Sequence, residues 1–126
     1  MRAIDTNVLV RLIARDNRQQ VERSERFIAG GAWVSNLVLA ESVWVLQSVY
    51  GLRKAQLATA IDMLLEHRQL VLEGAGAVRT ALDDFVANRG VGFTDCLIVA
   101  IARDNGHVPV GSFDKKLSRL DGAQAL

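Results

Sequence analysis

The sequence is poor in the residues that staple, break or embed a chain. Its single cysteine, Cys96, excludes an internal disulfide and suits a reducing compartment. Its single proline, Pro109, sits at the start of an expected strand. No apolar run approaches the roughly 20 residues that span a bilayer. Polar and acidic residues interrupt the amino terminus from Asp5 onward, unlike a signal peptide. A cytoplasmic protein with no membrane attachment is therefore expected. Neither sign of charge dominates, since 15 Lys and Arg against 14 Asp and Glu give a net +1. The two histidines, His67 and His107, have no cysteine or second histidine nearby, so a zinc set is not expected.

What remains is an ordinary globular composition, 50% hydrophobic and 23% charged. The 126 residues suffice for one domain with a proper core, and a single domain over residues 1–126 is expected. Short β-like runs alternate with longer helical ones. Strands are expected at Arg2–Ile4, Ala32–Val34, Leu70–Leu72 and Val108–Gly111. Helices are expected at Val8–Ala14, Gln19–Ala29, from Ser35 or Asn36 to Gly51, Arg53–Glu66, Ala77–Asn88, from Thr94 to Asn105-Gly106, and from Asp114 toward Leu120. In the fourth of these, Leu57, Ile61, Leu64 and Leu65 recur at helical spacing. Strands separated by helices imply an α/β fold with a mainly parallel sheet covered on both faces. In such sheets ligands bind beyond the carboxyl ends of the strands.

The acids fall where that rule would use them. Asp5 follows the first strand, Asp114 follows the last, and Asp95 opens a helix whose next seven residues carry no charge. Capping explains an aspartate at a helix start, contributing about 0.5–2 kcal/mol. It does not explain Glu41, the only charged residue between Leu37 and Leu46, which on so apolar a segment calls for a partner. An ion pair with Arg11 is one answer and a metal ion is another. Carboxylates gathered together repel one another unless cations intervene. An oxygen-only set selects Mg²⁺ or Mn²⁺. If four of the 14 acids serve a metal, the remaining surface carries 10 acids against 15 bases, a balance of +5 that a phosphate backbone could meet. Thr6, Asn7, Thr94 and Ser112 are placed to orient carboxylates, hold water or touch phosphate, and serve equally as caps and turn residues.

Other features carry less. Gly74-Ala75-Gly76 opens a helix as a dinucleotide turn would, but Arg79 occupies the third glycine position. Cys96 is a small core residue, and the two histidines are given no role. Trp33, Trp44, Phe27 and Phe85 read as core or interface. Lys115, Lys116 and Arg119 form a solvated face or a phosphate contact. A receiver-type phosphoacceptor would want an aspartate after its central strand, where Glu73-Gly74 stands. A phosphatase with an aspartate nucleophile would want an acid at Asn7.

Four segments, Ile4 to Arg11, Leu39 to Ser42, Phe93 to Ile98 and Ser112 to Asp114, resemble in order and spacing the PIN domain family, and within it the VapC-type toxins of toxin–antitoxin pairs. The resemblance covers nearly the whole chain. It implies a three-layer α/β/α fold around a sheet of four to five strands, and a Mg²⁺- or Mn²⁺-dependent endoribonuclease. Asp5, Glu41, Asp95 and Asp114 would be the metal-binding catalytic acids, and Thr6, Asn7, Thr94 and Ser112 their supporting residues. It further implies an RNA substrate, a homodimer and a VapB-like antitoxin partner. The alternative is a PIN-like module kept for interaction and catalytically inactive. Gly92 stands where many relatives carry an additional acid, and Ser112 where threonine is commoner; the first departure puts occupancy by two metals in doubt.

Overall fold

The computed structural model describes all 126 residues, and they divide into two compact units, Met1–Glu73 and Gly74–Leu126. The first unit runs β1 (Arg2–Ala3), α1 (Thr6–Ala14), α2 (Arg18–Ile28), β2 (Ala32–Val34), α3 (Asn36–Ser48), α4 (Lys54–Glu66) and β3 (Leu70–Leu72). Its strands form one parallel sheet in the order β1-β2-β3, with Ala32 opposite Arg2 on one side and Leu70 on the other. The two-residue period of a strand sends Ala32 and Val34 inward and Trp33 outward, and does the same for Leu70, Leu72 and Val71. Leu9 on α1, Leu39 and Val43 on α3 and Leu57 on α4 are sealed from water. Burying each such side chain contributes about 1.5–3 kcal/mol.

The helix starts of this unit are written in short polar side chains. Asp5, Asn17 and Ser35 precede α1, α2 and α3, and each accepts a hydrogen bond from an amide of the first turn. Arg15 ends α1 with φ at 52°, a left-handed conformation uncommon for a residue with a side chain, and its amide donates to the Arg11 carbonyl. On α4, Gln56 turns back to accept the amide of Arg53 at 2.9 Å. His67 at the end of α4 accepts the Gln69 amide at Nδ1, so it closes a turn rather than standing merely solvated.

The second unit runs α5 (Ala75–Ala87), α6 (Phe93–Asp104), β4 (Val110–Ser112), a 3₁₀ turn (Leu117–Arg119) and β5 (Ala123–Ala125). The two helices pack against each other, and Val78, Ala81 and Phe85 on one and Phe93, Cys96 and Val99 on the other are buried. Phe85 and Phe93 meet edge to face with centroids 6.0 Å apart. β4 and β5 pair in parallel, Val110 opposite Ala123. The turn into β5 needs Gly122, whose φ is +94° and where a Cβ would lie 2.8 Å from the Arg103 side chain.

The α/β expectation holds, and every strand pairing is parallel. The five strands are hydrogen-bonded as a ladder of three and a ladder of two. Three local expectations need correction. No strand was expected at Ala123–Ala125, where β5 forms. Thr94 does not cap α6, which is preceded by Gly92 and already includes Thr94 in its first turn. Asp114 opens a turn and a single 3₁₀ stretch instead of a helix reaching Leu120. No helix is long and apolar enough to cross a membrane.

Candidate active site

The first unit contributes Asp5, Thr6, Asn7 and Glu41. Asp5 lies just beyond the carboxyl end of β1 and caps α1, its Oδ1 accepting the Val8 amide at 3.1 Å. Its Oδ2 takes no hydrogen bond, so capping uses half of the carboxylate and leaves the other half available. α1 packs against α3, and the Thr6 hydroxyl donates to Glu41 Oε1 at 3.5 Å. Glu41 is exposed, which removes the desolvation cost that the sequence suggested. It is not paired with Arg11 either. Arg11 instead donates from Nη1 to Asp16 at 3.1 Å and to the Tyr50 hydroxyl at 2.8 Å, and from Nε to Gln20. The Tyr50 hydroxyl donates in turn to Asp16 at 2.7 Å. This ring of contacts raises the Arg11 pKa, the Tyr50 hydrogen bond acting most strongly, and lowers that of Asp16 for the same leading reason.

The second unit contributes Thr94, Asp95, Ser112 and Asp114. Asp114 follows β4, and its Oδ1 accepts the amides of Lys116 and Leu117 at 2.8 and 3.0 Å, which orients the carboxylate and leaves Oδ2 without a partner. The Ser112 hydroxyl accepts the Asp114 amide at 3.0 Å, so Ser112 shapes the turn that presents the acid. Asp95 is different. It sits half-buried on the first turn of α6 and makes no hydrogen bond. Burial pushes its pKa up, and the neighbouring charge of Asp114 adds to the effect. Thr94 is exposed and makes no hydrogen bond.

The four acids thus stand as two pairs, one in each unit. No three Asp, Glu, His or Cys side chains form a group that could hold a metal ion as they stand. The donor chemistry of each pair nevertheless fits a hard cation. Mg²⁺ keeps most of its waters and is commonly held by one or two carboxylates, the substrate phosphate supplying further oxygens. Two carboxylates with an unused oxygen, together with an unpartnered half-buried one, are ligands of that kind.

Of the other sequence candidates, Phe85 lies in the core, whereas Trp44 is 65% exposed and Phe27 and Trp33 are 37% exposed, so these three are surface residues. Lys115, Lys116 and Arg119 are exposed. Sequence reasoning missed the Arg11–Asp16–Tyr50 ring. Arg11 and Asp16 flank the end of one helix, but Tyr50 lies 39 residues from Arg11 and no local pattern announces it.

Nothing among curated proteins or solved structures matches the chain. One comparison does succeed, and over almost the full length. PIN domains are generally nucleases and typically use divalent metals, which agrees with acids presented at strand ends and helix starts. Residues 3–123 match the PIN domain family, and the chain belongs to it.

Proposed function

We propose that the chain is a divalent-metal-dependent endoribonuclease, the VapC-like toxin of a toxin–antitoxin pair, whose two units work as one PIN domain. Asp5, Glu41, Asp95 and Asp114 would hold Mg²⁺ or Mn²⁺, with Thr6, Asn7, Thr94 and Ser112 as supporting groups. The observation that carries this reading is Asp95. A half-buried carboxylate with no hydrogen bond, its pKa raised by burial and by Asp114, costs the fold energy that a bound cation would return.

When bound, such a cation lowers the pKa of water and neutralises charge on a phosphate under attack. The protein's own part is orientation. Amides fix Asp5 and Asp114 through one oxygen each, and Thr6 reaches Glu41. No histidine or serine nucleophile is required. The products would carry a 5′-phosphate and a 3′-hydroxyl. The partners proposed with this activity are an RNA substrate, a second copy of the chain and a VapB-like antitoxin in the cytoplasm.

The test is cleavage of labelled RNA by purified protein with Mg²⁺ or Mn²⁺ and with EDTA. Asp95→Asn and Asp5→Asn are expected to fold and to lose activity by at least about a hundredfold, more than typically follows loss of a residue that only supports a metal ligand. Undiminished cleavage by both variants would reject the assignment. No metal-dependent cleavage by the native chain would favour a PIN-fold interaction module instead.

A further inference from the structure

The first unit contains a cleft of about 410 Å³ lined by Asp5, Asn7, Arg11, Gln20, Arg23 and Phe27, among others. Its size is that of a small-ligand site. Its charge is unusual for its surroundings. On α2 the acids Glu22 and Glu25 are taken by Arg18 and Arg15, at 3.4 and 2.8 Å. Arg23, between those two acids in sequence, makes no hydrogen bond or ion pair. Arg11 is held by Gln20, Asp16 and Tyr50 through Nε and Nη1, and its Nη2 donates to nothing. One face of Phe27 carries the Arg2 guanidinium, 4.2 Å from the ring centroid. The cleft therefore offers one fixed guanidinium with an idle nitrogen, one free guanidinium, and an apolar wall, all beside Asp5.

We infer that this cleft holds the nucleotide next to the bond being cut, with its phosphate on Arg11 and Arg23 and its sugar and base along Phe27. The free fork of Arg23 matches two phosphate oxygens at once, while Arg11 adds its fixed charge and the single nitrogen left idle by Gln20, Asp16 and Tyr50. Asn7 supplies an uncharged amide at the same wall. Asp16 and Tyr50 are positioning residues, because they touch Arg11 and do not line the cleft. The inference rests on the ribonuclease reading for the identity of the strand, and on the cleft alone for its affinity for a phosphodiester.

Binding of a labelled, short single-stranded RNA in EDTA, followed by anisotropy across a salt series, tests it without any cleavage. Arg23→Ala is expected to raise Kd roughly tenfold, as loss of a charged hydrogen bond does. It should also lower the salt slope by about 0.7, the value for one contact to a single strand. Tyr50→Phe leaves the charge and frees Arg11, so Kd rises while the slope is unchanged. Arg26→Ala, also on α2 but outside the cleft, should change neither. Equal effects of Arg23→Ala and Arg26→Ala, or none from Arg23→Ala, would overturn the inference. So would an oligo-glutamate peptide whose binding needs Arg23 when RNA binding does not. If the native chain cuts no RNA yet binds it through Arg23, the cleft stands and the nuclease reading falls. If Arg23→Ala cuts with unchanged KM, the cleft falls and the nuclease reading stands.

Discussion

The two units handle their acids in opposite ways. In the first, most carboxylates that could act have been given a partner: Asp5 has the Val8 amide, Asp16 has Tyr50 and Arg11, Glu25 has Arg15, and Glu73 accepts the Asn36 amide at 2.8 Å. In the second, Asp114 is anchored by two amides while Asp95, on the first turn of α6, receives none. Two aspartates near helix starts thus differ in what they do for the fold. Asp5 stabilises the helix it precedes, and Asp95 burdens the one it belongs to. An acid that serves as a cap is no less available for chemistry, because capping occupies one oxygen. An acid that serves nothing in the fold is the stronger sign of a ligand still to come.

The largest effect should come from the packing that holds Asp95 in place. Phe93→Ala removes one ring of the edge-to-face pair and should cost about 3–5 kcal/mol in denaturant unfolding. A much smaller loss would mean that α6 is not held by that contact. Next, Asp5→Ala and Asp95→Asn should move metal-free stability in opposite directions. The first loses a cap and about 1 kcal/mol. The second removes a carboxylate whose folded pKa is raised. That group favours the fold fully below the ordinary carboxylate range, and the contribution is lost as pH rises through the raised value. Asp95→Asn should therefore melt above the native protein at neutral pH, with the gap closing on acidification. Shifts of the same sign for both variants would erase the contrast between the units. The smallest effect belongs to Asp16→Asn. Its lowered pKa contributes stability above the ordinary range and loses it as pH falls through the lowered value. The variant should melt slightly below the native chain at neutral pH and with it in strong acid.

Much of the architecture was legible because it is local. Asn17 and Ser35 cap the helices they precede, and Ala32–Val34 and Leu70–Leu72 show the alternation of strands with one face buried. β5 was not legible. Ala123-Gln124-Ala125 has no β-branched or aromatic residue, and its strand exists only because β4 offers it a backbone edge. Thr94 misled because a threonine before an apolar run usually caps, whereas here Gly92 supplies the extended backbone two residues earlier. Glu41 misled for a subtler reason. An apolar helix segment can still turn one side chain to water, and composition does not reveal the direction. Of the candidate site, sequence pattern singled out the acids and their neighbours as the residues to examine. The cleft arginines escaped because their significance depends on which acids other arginines have already claimed.

The amides that grip Asp5 and Asp114 also settle a question of torsional freedom. A free carboxylate that captures an ion must give up its rotors at that moment, and the association is weaker for it. Here folding has already fixed them, so the cation proposed for this site would meet oxygens held in place. A glutamate in either place, one methylene longer and with another torsion to quench, would be a floppier tether even though its charge is the same.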